Sequence, residues 1–226
     1  MRRIVLALLA VAVAAGCGAP RNRNVEVLLE TSLGDIRVAL SDSTPRHRDN
    51  FVRLVEEGYF DSLLFHRVIE NFMIQGGDPD SRTAAPGELL GEGGPGYTVP
   101  AEIRYPELIH RRGALAAARE GDDANPQRAS SGSQFYIVWG RVFTEETLDL
   151  VQQRLDSRGG VTLTPEVREV YLTEGGSPHL DGSYTVFGEV TEGLDVVEAI
   201  QSVLTDENNR PLEDVRIVRA SVVSRE

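Results

Sequence analysis

Arg67 and Gln75 are the residues of this 226-residue chain whose types and spacing point most directly to chemistry. They sit in FHRVIENFMIQGGD, Phe65 to Asp78, where a guanidinium and a side-chain amide are set among strand-forming residues that an ordinary core strand does not need to carry. Phe65, His66, Arg67, Val68 and Ile69 form one β-prone run, and Glu70-Asn71 is turn-like. Phe72, Met73, Ile74 and Gln75 form a second run that stops at Gly76-Gly77, which predicts a tight strand, turn, strand unit. Residues two apart in a strand share a face, so Phe65, Arg67 and Ile69 are expected to point one way. In the second run Met73 and Gln75 share one face, and Phe72 and Ile74 the other. A guanidinium beside an aromatic ring, a thioether and an amide would follow. The competing reading of the same residues is a buried Phe and Met with Arg67 as a satisfied surface charge.

The segment resembles the signature of the cyclophilin-type peptidyl-prolyl cis-trans isomerases. The similarity continues through RGALAAAR (Arg112 to Arg119), SGSQFYIV (Ser131 to Val138) and LDGSYTVFGEVTEGLDVVEAI (Leu180 to Ile200), and covers roughly residues 25 to 224 apart from one insertion. Four separated blocks in the right order are far more specific than any one motif. The resemblance implies isomerisation of X-Pro bonds in proline-containing peptides, with no cofactor and no metal. By that likeness Arg67 matches the catalytic arginine and Gln75 acts beside it, while Phe72 and Met73 belong to the proline pocket. Ala118 falls on a backbone-contact position, Arg119 stands where members carry Asn or Arg, Gln134 matches a substrate-contacting Gln, and Leu180 matches a pocket-lining Leu. Asn50 and Phe51 match a further family feature. Departures are equally specific. Tyr136 replaces the usual Phe, so its hydroxyl needs water or a partner at the rim. His179 stands where cyclosporin-sensitive members carry Trp, so weak binding of that drug is expected. Tyr184 occupies the position of a site-lining His, and Ala117 replaces a Met.

The implied reaction breaks no bond. Resonance in the C–N bond sets a barrier of about 18–20 kcal/mol. Twisting the amide localises a lone pair on the prolyl nitrogen, and an Arg donor aimed there binds the twisted form in preference to the planar one. The unassisted step takes about 10–100 s. Reaching about a millisecond asks for roughly 10⁴–10⁵-fold, or about 5.5–7 kcal/mol. One charged hydrogen bond supplies about half of that. The remainder falls to Gln75 fixing a carbonyl and to an apolar pocket that grips the ring and excludes water. A proline-segment binding or chaperone module with little turnover is the alternative, raised by Tyr136, His179 and Tyr184.

The elements that must position these residues read as mainly β. VEVLLET (25–31) and GDIRVAL (34–40) alternate across a Leu33-Gly34 turn and predict a hairpin. Thr44 can cap a helix that has Pro45 at its first position, Phe51, Leu54 and Val55 at helical spacing and Gly58 at its end. Further strands are expected at 97–99, 113–118, 134–139, 185–190 and 213–223, with a second helix at about 192–201. This pattern suits a closed antiparallel barrel with two capping helices, and the resemblance implies that it is a cyclophilin-like barrel of eight strands. The insertion, about 141–176, contains a capped amphipathic pattern from Thr144 to Arg158 and a second from Thr164 to Leu172. It reads either as a helical hairpin packed on the barrel or as a docking surface or lid.

The amino terminus is expected to lie outside the fold. MRR is followed by 12 apolar residues, Ile4 to Ala15, too few to span a bilayer, so residues 1–16 read as a signal peptide. The only cysteine, Cys17, directly follows, as in the bacterial lipoprotein box. The likeness implies lipidation at Cys17, a tether over 17–24 and an isomerase domain over 25–226; a plain signal peptide with a chance cysteine is the other reading. The expected setting is the bacterial cell envelope, lipid-anchored on the periplasmic side or the cell surface, with unfolded exported proteins as partners. A monomer is expected. Without the leader, 21 basic residues face 35 acidic ones, a formal net of −14, which argues against nucleic acid as a partner. All 23 basic residues are Arg, for which there is no functional account. Gly91, Gly93 and Gly96 spell GxGxxG, but Pro95 interrupts it and no helical pattern follows, so a flexible glycine loop is expected. The four His show no metal-ligand spacing, and the acidic loop 121–126 offers too few oxygens for calcium. His66 is read either as orienting Arg67 or as a half-buried structural residue.

Overall fold

Alternating apolar residues draw the first two strands together. In the computed structural model, which describes residues 25–224, β1 (Val25–Thr31) and β2 (Gly34–Leu40) form the expected hairpin and bury Val27, Leu29, Ile36 and Val38 completely. The leader, Cys17 and the tether lie outside the described residues. The remaining strands, in chain order, are β3 (Arg67–Ile69), β4 (Met73–Gly76), β5 (Thr98–Val99), β6 (Ala114–Ala117), β7 (Ser130–Ser131), β8 (Phe135–Val138), β9 (Val186–Glu192) and β10 (Ile217–Ser224). Eight of them make one antiparallel sheet in the order β10-β1-β2-β9-β6-β8-β4-β3. The edges β3 and β10 meet through the residues that precede each. Ser62 donates to the Ile217 carbonyl at 2.8 Å, Ile217 to that of Leu63 at 2.8 Å, and Phe65 to that of Val215 at 2.9 Å. The barrel is therefore closed approximately, by coil at the seam rather than by strand against strand.

The expected strand at 97–99 exists but is not a stave of the barrel. Its two residues, Thr98 and Val99, pair only with β7, which had no signal in the sequence.

Helices α1 (Pro45–Glu56) and α4 (Leu194–Gln201) turn Phe51, Leu54, Val55, Val197 and Ile200 into the main core. The Thr44 side chain does not cap α1. The Glu102 carboxylate does instead, accepting from the amides of Arg46 at 3.2 Å and His47 at 3.0 Å. A distant acid satisfies two orphan N–H groups and the positive end of the helix together, which a local hydroxyl could not do for both.

The insertion is a helical hairpin, α2 (Glu145–Asp156) and α3 (Pro165–Thr173), packed on the barrel. Thr144 and Thr147 form a reciprocal capping box at the start of α2. Leu148, Val151, Leu155, Val167 and Tyr171 build a separate small core with Ile109 and Phe143. Its two ends are pinned together where Arg141 and Gly176 exchange backbone hydrogen bonds. A Cβ on Gly140 would lie 2.1 Å from the Gly176 carbonyl oxygen, so only glycine permits that approach.

Candidate active site

Strand alternation splits β4, β6 and β8 between two apolar clusters. Ile74, Leu115, Phe135 and Ile137 face the barrel interior, while Met73, Ala116, Tyr136 and Val138 form a second cluster on the outer face. Register then lines up the polar residues. Arg67 lies opposite Gln75 across β3 and β4, Gln75 opposite Tyr136 across β4 and β8, and Tyr136 opposite Ala116 on β6. The expected sharing of faces holds for Arg67 with Ile69 and for Met73 with Gln75. It fails for Phe65, which is fully buried in the main core, and for Phe72, which joins Met73 in the outer cluster. Both lie just outside a strand, Phe65 in the coil before β3 and Phe72 in the turn before β4, where the pleat no longer sets the direction of the side chain.

A groove of about 390 Å³ opens on this outer face. Arg67, Phe72, Met73, Gln75, Ala118, Arg119, Tyr136, Leu180 and Tyr184 line it, so nine of the expected site residues come together. Arg67 donates to the Gln75 side-chain oxygen at 3.1 Å, and Gln75 donates to that of Gln134 at 2.9 Å. Gln134 in turn donates to the carbonyls of Gly91 and Gly93, both at 2.8 Å. Gln134 thus supports the groove from behind. Burial draws the Arg67 pKa down, yet a guanidinium remains charged at neutral pH. No carboxylate lies within 4.0 Å of it among the described residues.

Other expected members differ in detail. The Ala118 N–H and C=O are already bonded, to the Gln134 carbonyl at 3.0 Å and the Ser131 N–H at 2.8 Å. Arg119 is clamped over the Tyr184 ring, 4.4 Å from its centroid, by the Ser183 carbonyl at 2.9 Å and Asp122 at 2.6 Å. His179 is not in the groove. It is exposed and packs against the far side of Phe72, with ring centroids 5.5 Å apart. His66 lines the groove but makes no hydrogen bond to Arg67; its ring is 3% exposed, and burial holds its pKa down at about 4. Asn50 bonds the Gly132 carbonyl at 2.8 Å and Phe51 packs edge-on to Phe135, so both are scaffold.

The Tyr136 hydroxyl finds its partner in the interior rather than at the rim. It lies 3.0 Å from His110 Nε2, His110 Nδ1 lies 2.9 Å from Asp181 Oδ1, and Tyr171 on α3 donates to Asp181 Oδ2 at 2.6 Å. All four residues are at most 5% exposed. With Nδ1–H donating to the carboxylate, Nε2 accepts from the tyrosine. Burial raises the Tyr136 pKa far above its ordinary value, which keeps the hydroxyl protonated. The ring can therefore serve the groove as hydrocarbon while its oxygen is used elsewhere.

Sequence reading missed one wall of the groove. Leu90, Gly91 and Glu92 line it, carried by the glycine loop that the GxGxxG spacing had marked as flexible. The loop is tied down by the Asp78 carboxylate, which accepts from the Gly91 and Gly93 amides. A Cβ on Gly93 would sit 2.1 Å from that carboxylate, so the glycine marks a close approach.

These features can be set beside known proteins. A family model described as cyclophilin type peptidyl-prolyl cis-trans isomerase matches residues 26–222. The Arabidopsis thaliana peptidyl-prolyl cis-trans isomerase CYP18-2 is 34% identical over 206 residues, which cover 90% of this chain and 97% of the relative. A longer Streptococcus pyogenes protein, whose name pairs a phosphatase with a peptidyl-prolyl cis-trans isomerase, is 36% identical over 195 residues, 85% of this chain and 37% of that protein. A crystal structure of a Cryptosporidium parvum cyclophilin-type isomerase, solved in the presence of the dipeptide Ala-Pro, superposes with a TM-score of 0.64 and 25% identity over 88% of this chain and 99% of that one. The family match runs from the first strand of the barrel to the last, and this chain belongs to the cyclophilin-type peptidyl-prolyl cis-trans isomerases.

Proposed function

We propose that this isomerase acts on X-Pro bonds of incompletely folded exported proteins, with Arg67 as the group that meets the prolyl nitrogen. One observation carries the role of Arg67. It is a half-buried cation on the wall of the groove, aimed by an amide rather than neutralised by an acid, so its donor strength is retained for a ligand. As the bound amide twists, the nitrogen lone pair becomes an acceptor and the Arg67 bond strengthens. In the planar ground state it has less to bind, which makes the stabilisation selective. Gln75 has its oxygen on Arg67 and its nitrogen on Gln134, so it holds the guanidinium at a fixed angle. The proline ring would rest on Phe72, Met73, Tyr136 and Leu180 and displace water from around the reacting amide.

The test is a protease-coupled isomerisation assay on an Ala-Pro peptide with the wild type and Arg67→Ala. Equal rates would remove Arg67 from the mechanism. Export and anchoring are supported by the leader pattern and by Cys17. Incorporation of labelled fatty acid into the wild type and its loss in Cys17→Ala would test them; a Cys17→Ala protein that still partitions with membranes would argue against the anchor.

A further inference from the structure

The groove beside Arg67 does not end at Tyr184. Arg119, Leu180 and Tyr184 are shared with a second cavity of about 560 Å³, whose opposite wall is the end of α2 and the turn after it. This cavity is therefore built jointly by the barrel and the insertion. Its charge contrasts with that of the chain. Arg119, Arg128, Arg154 and Arg158 line it against a single carboxylate, Asp122, in a protein of formal net charge −12. Asp122 is already engaged, with Arg119 at 2.6 Å and Arg128 at 3.7 Å. Arg154 and Arg158 make no ion pair among the described residues, although both are exposed and 35 acids are present in the chain. Arg154 sits in the last turn of α2, where it complements the helix dipole, and Arg158 lies just beyond the helix end. Both arginines line the same cavity, so an anion bound there would offset the repulsion between their like charges.

We propose that this cavity is a subsite for acidic side chains of the polypeptide substrate, occupied by an Asp or Glu that flanks the isomerised proline and leaves the groove past Leu180 and Tyr184. The inference rests on the reading of the Arg67 groove as the prolyl site. A carboxylate there meets two guanidinium groups able to bind it in bidentate fashion, inside a cleft that concentrates their field. Because the contact is made equally in the planar and the twisted amide, it lowers KM and leaves kcat little changed.

The experiment measures kcat/KM on the full chain for a neutral Ala-Pro peptide and for peptides with Asp at each flanking position in turn, at low salt and at high salt. At least one acidic peptide should exceed the neutral one by about three- to tenfold at low salt, mainly through KM, and the gain should shrink as salt screens it. In Arg154→Ala/Arg158→Ala the acidic-to-neutral ratio should fall to about one. In Arg154→Glu/Arg158→Glu the preference should pass to peptides with Lys at the same position, which a merely structural role at the helix end would not produce. No preference for acid at any position, or a preference that survives both double variants, overturns the subsite. Failure of the prolyl reading would look different, as turnover of the neutral peptide by Arg67→Ala at the wild-type rate.

Discussion

On β8, Phe135 and Ile137 point into the barrel while Tyr136 and Val138 point out of it, and β4 and β6 repeat the division. Both faces are buried, yet they are filled differently. The inner face is hydrocarbon throughout, with Phe135 edge-on to Phe51 at 5.4 Å and to Phe60 at 5.5 Å. The outer face admits Arg67, Gln75 and the Tyr136 hydroxyl, each hydrogen-bonded to another side chain. A barrel can thus acquire a site without a further domain, by placing polar groups in one cross-strand row of a surface that is otherwise core-like. The inner face should then govern stability and the outer face rate.

The sharpest way to break this contrast is Phe135→Ala. Loss of a ring from the closed inner packing should cost about 3–5 kcal/mol in denaturant unfolding, and a loss below about 1 kcal/mol would mean that the inner face is not the keystone. Arg67→Ala should do the reverse. A fall of about 10²–10³-fold in kcat/KM is expected, with stability changed by less than about 1 kcal/mol. A large stability loss with little change in rate would reassign Arg67 to the scaffold.

His66 sharpens the comparison through pH. Its folded pKa is about 4, below the ordinary 6.5, because burial penalises the charged ring. The folded state therefore binds this proton less readily than the unfolded one. Stability from the neutral ring is complete above pH 6.5 and is lost as the pH falls from 6.5 toward 4, by about 3 kcal/mol. Unfolding free energies across that window for the wild type and His66→Asn should differ in slope; parallel curves would exclude His66 as the source. The smallest effect is expected for Tyr136→Phe. It keeps the ring and removes the partner of His110 Nε2, so stability should fall by about 1–3 kcal/mol while kcat/KM stays within about twofold. A larger loss of rate would show that the hydroxyl reaches the substrate after all.

Much of this was legible in residue patterns because local physics dictated it. The β1–β2 alternation, the Thr144 and Thr164 starts of the insertion helices, and the pairing of Arg67 with Ile69 all depend on neighbours within a turn or a strand. What was not legible depends on residues far apart in the chain. Glu102 caps a helix 55 residues before it, His110 partners Tyr136 across 26 residues, and Asp78 anchors a loop that glycine content alone marks as loose. Phe65 and Phe72 were misplaced for a different reason. Period-two reasoning stops at the ends of a strand, and Phe72 sits one residue before β4 and Phe65 two residues before β3.

The chain of bonds from Tyr136 through His110 and Asp181 to Tyr171 has a historical consequence. Shedding the hairpin alone would take the Tyr171 donor from Asp181 and uncover a carboxylate that the fold keeps buried. A descendant that lost α3 would need to exchange Asp181, His110 and Tyr136 in step, so these four positions should be inherited or abandoned as a set.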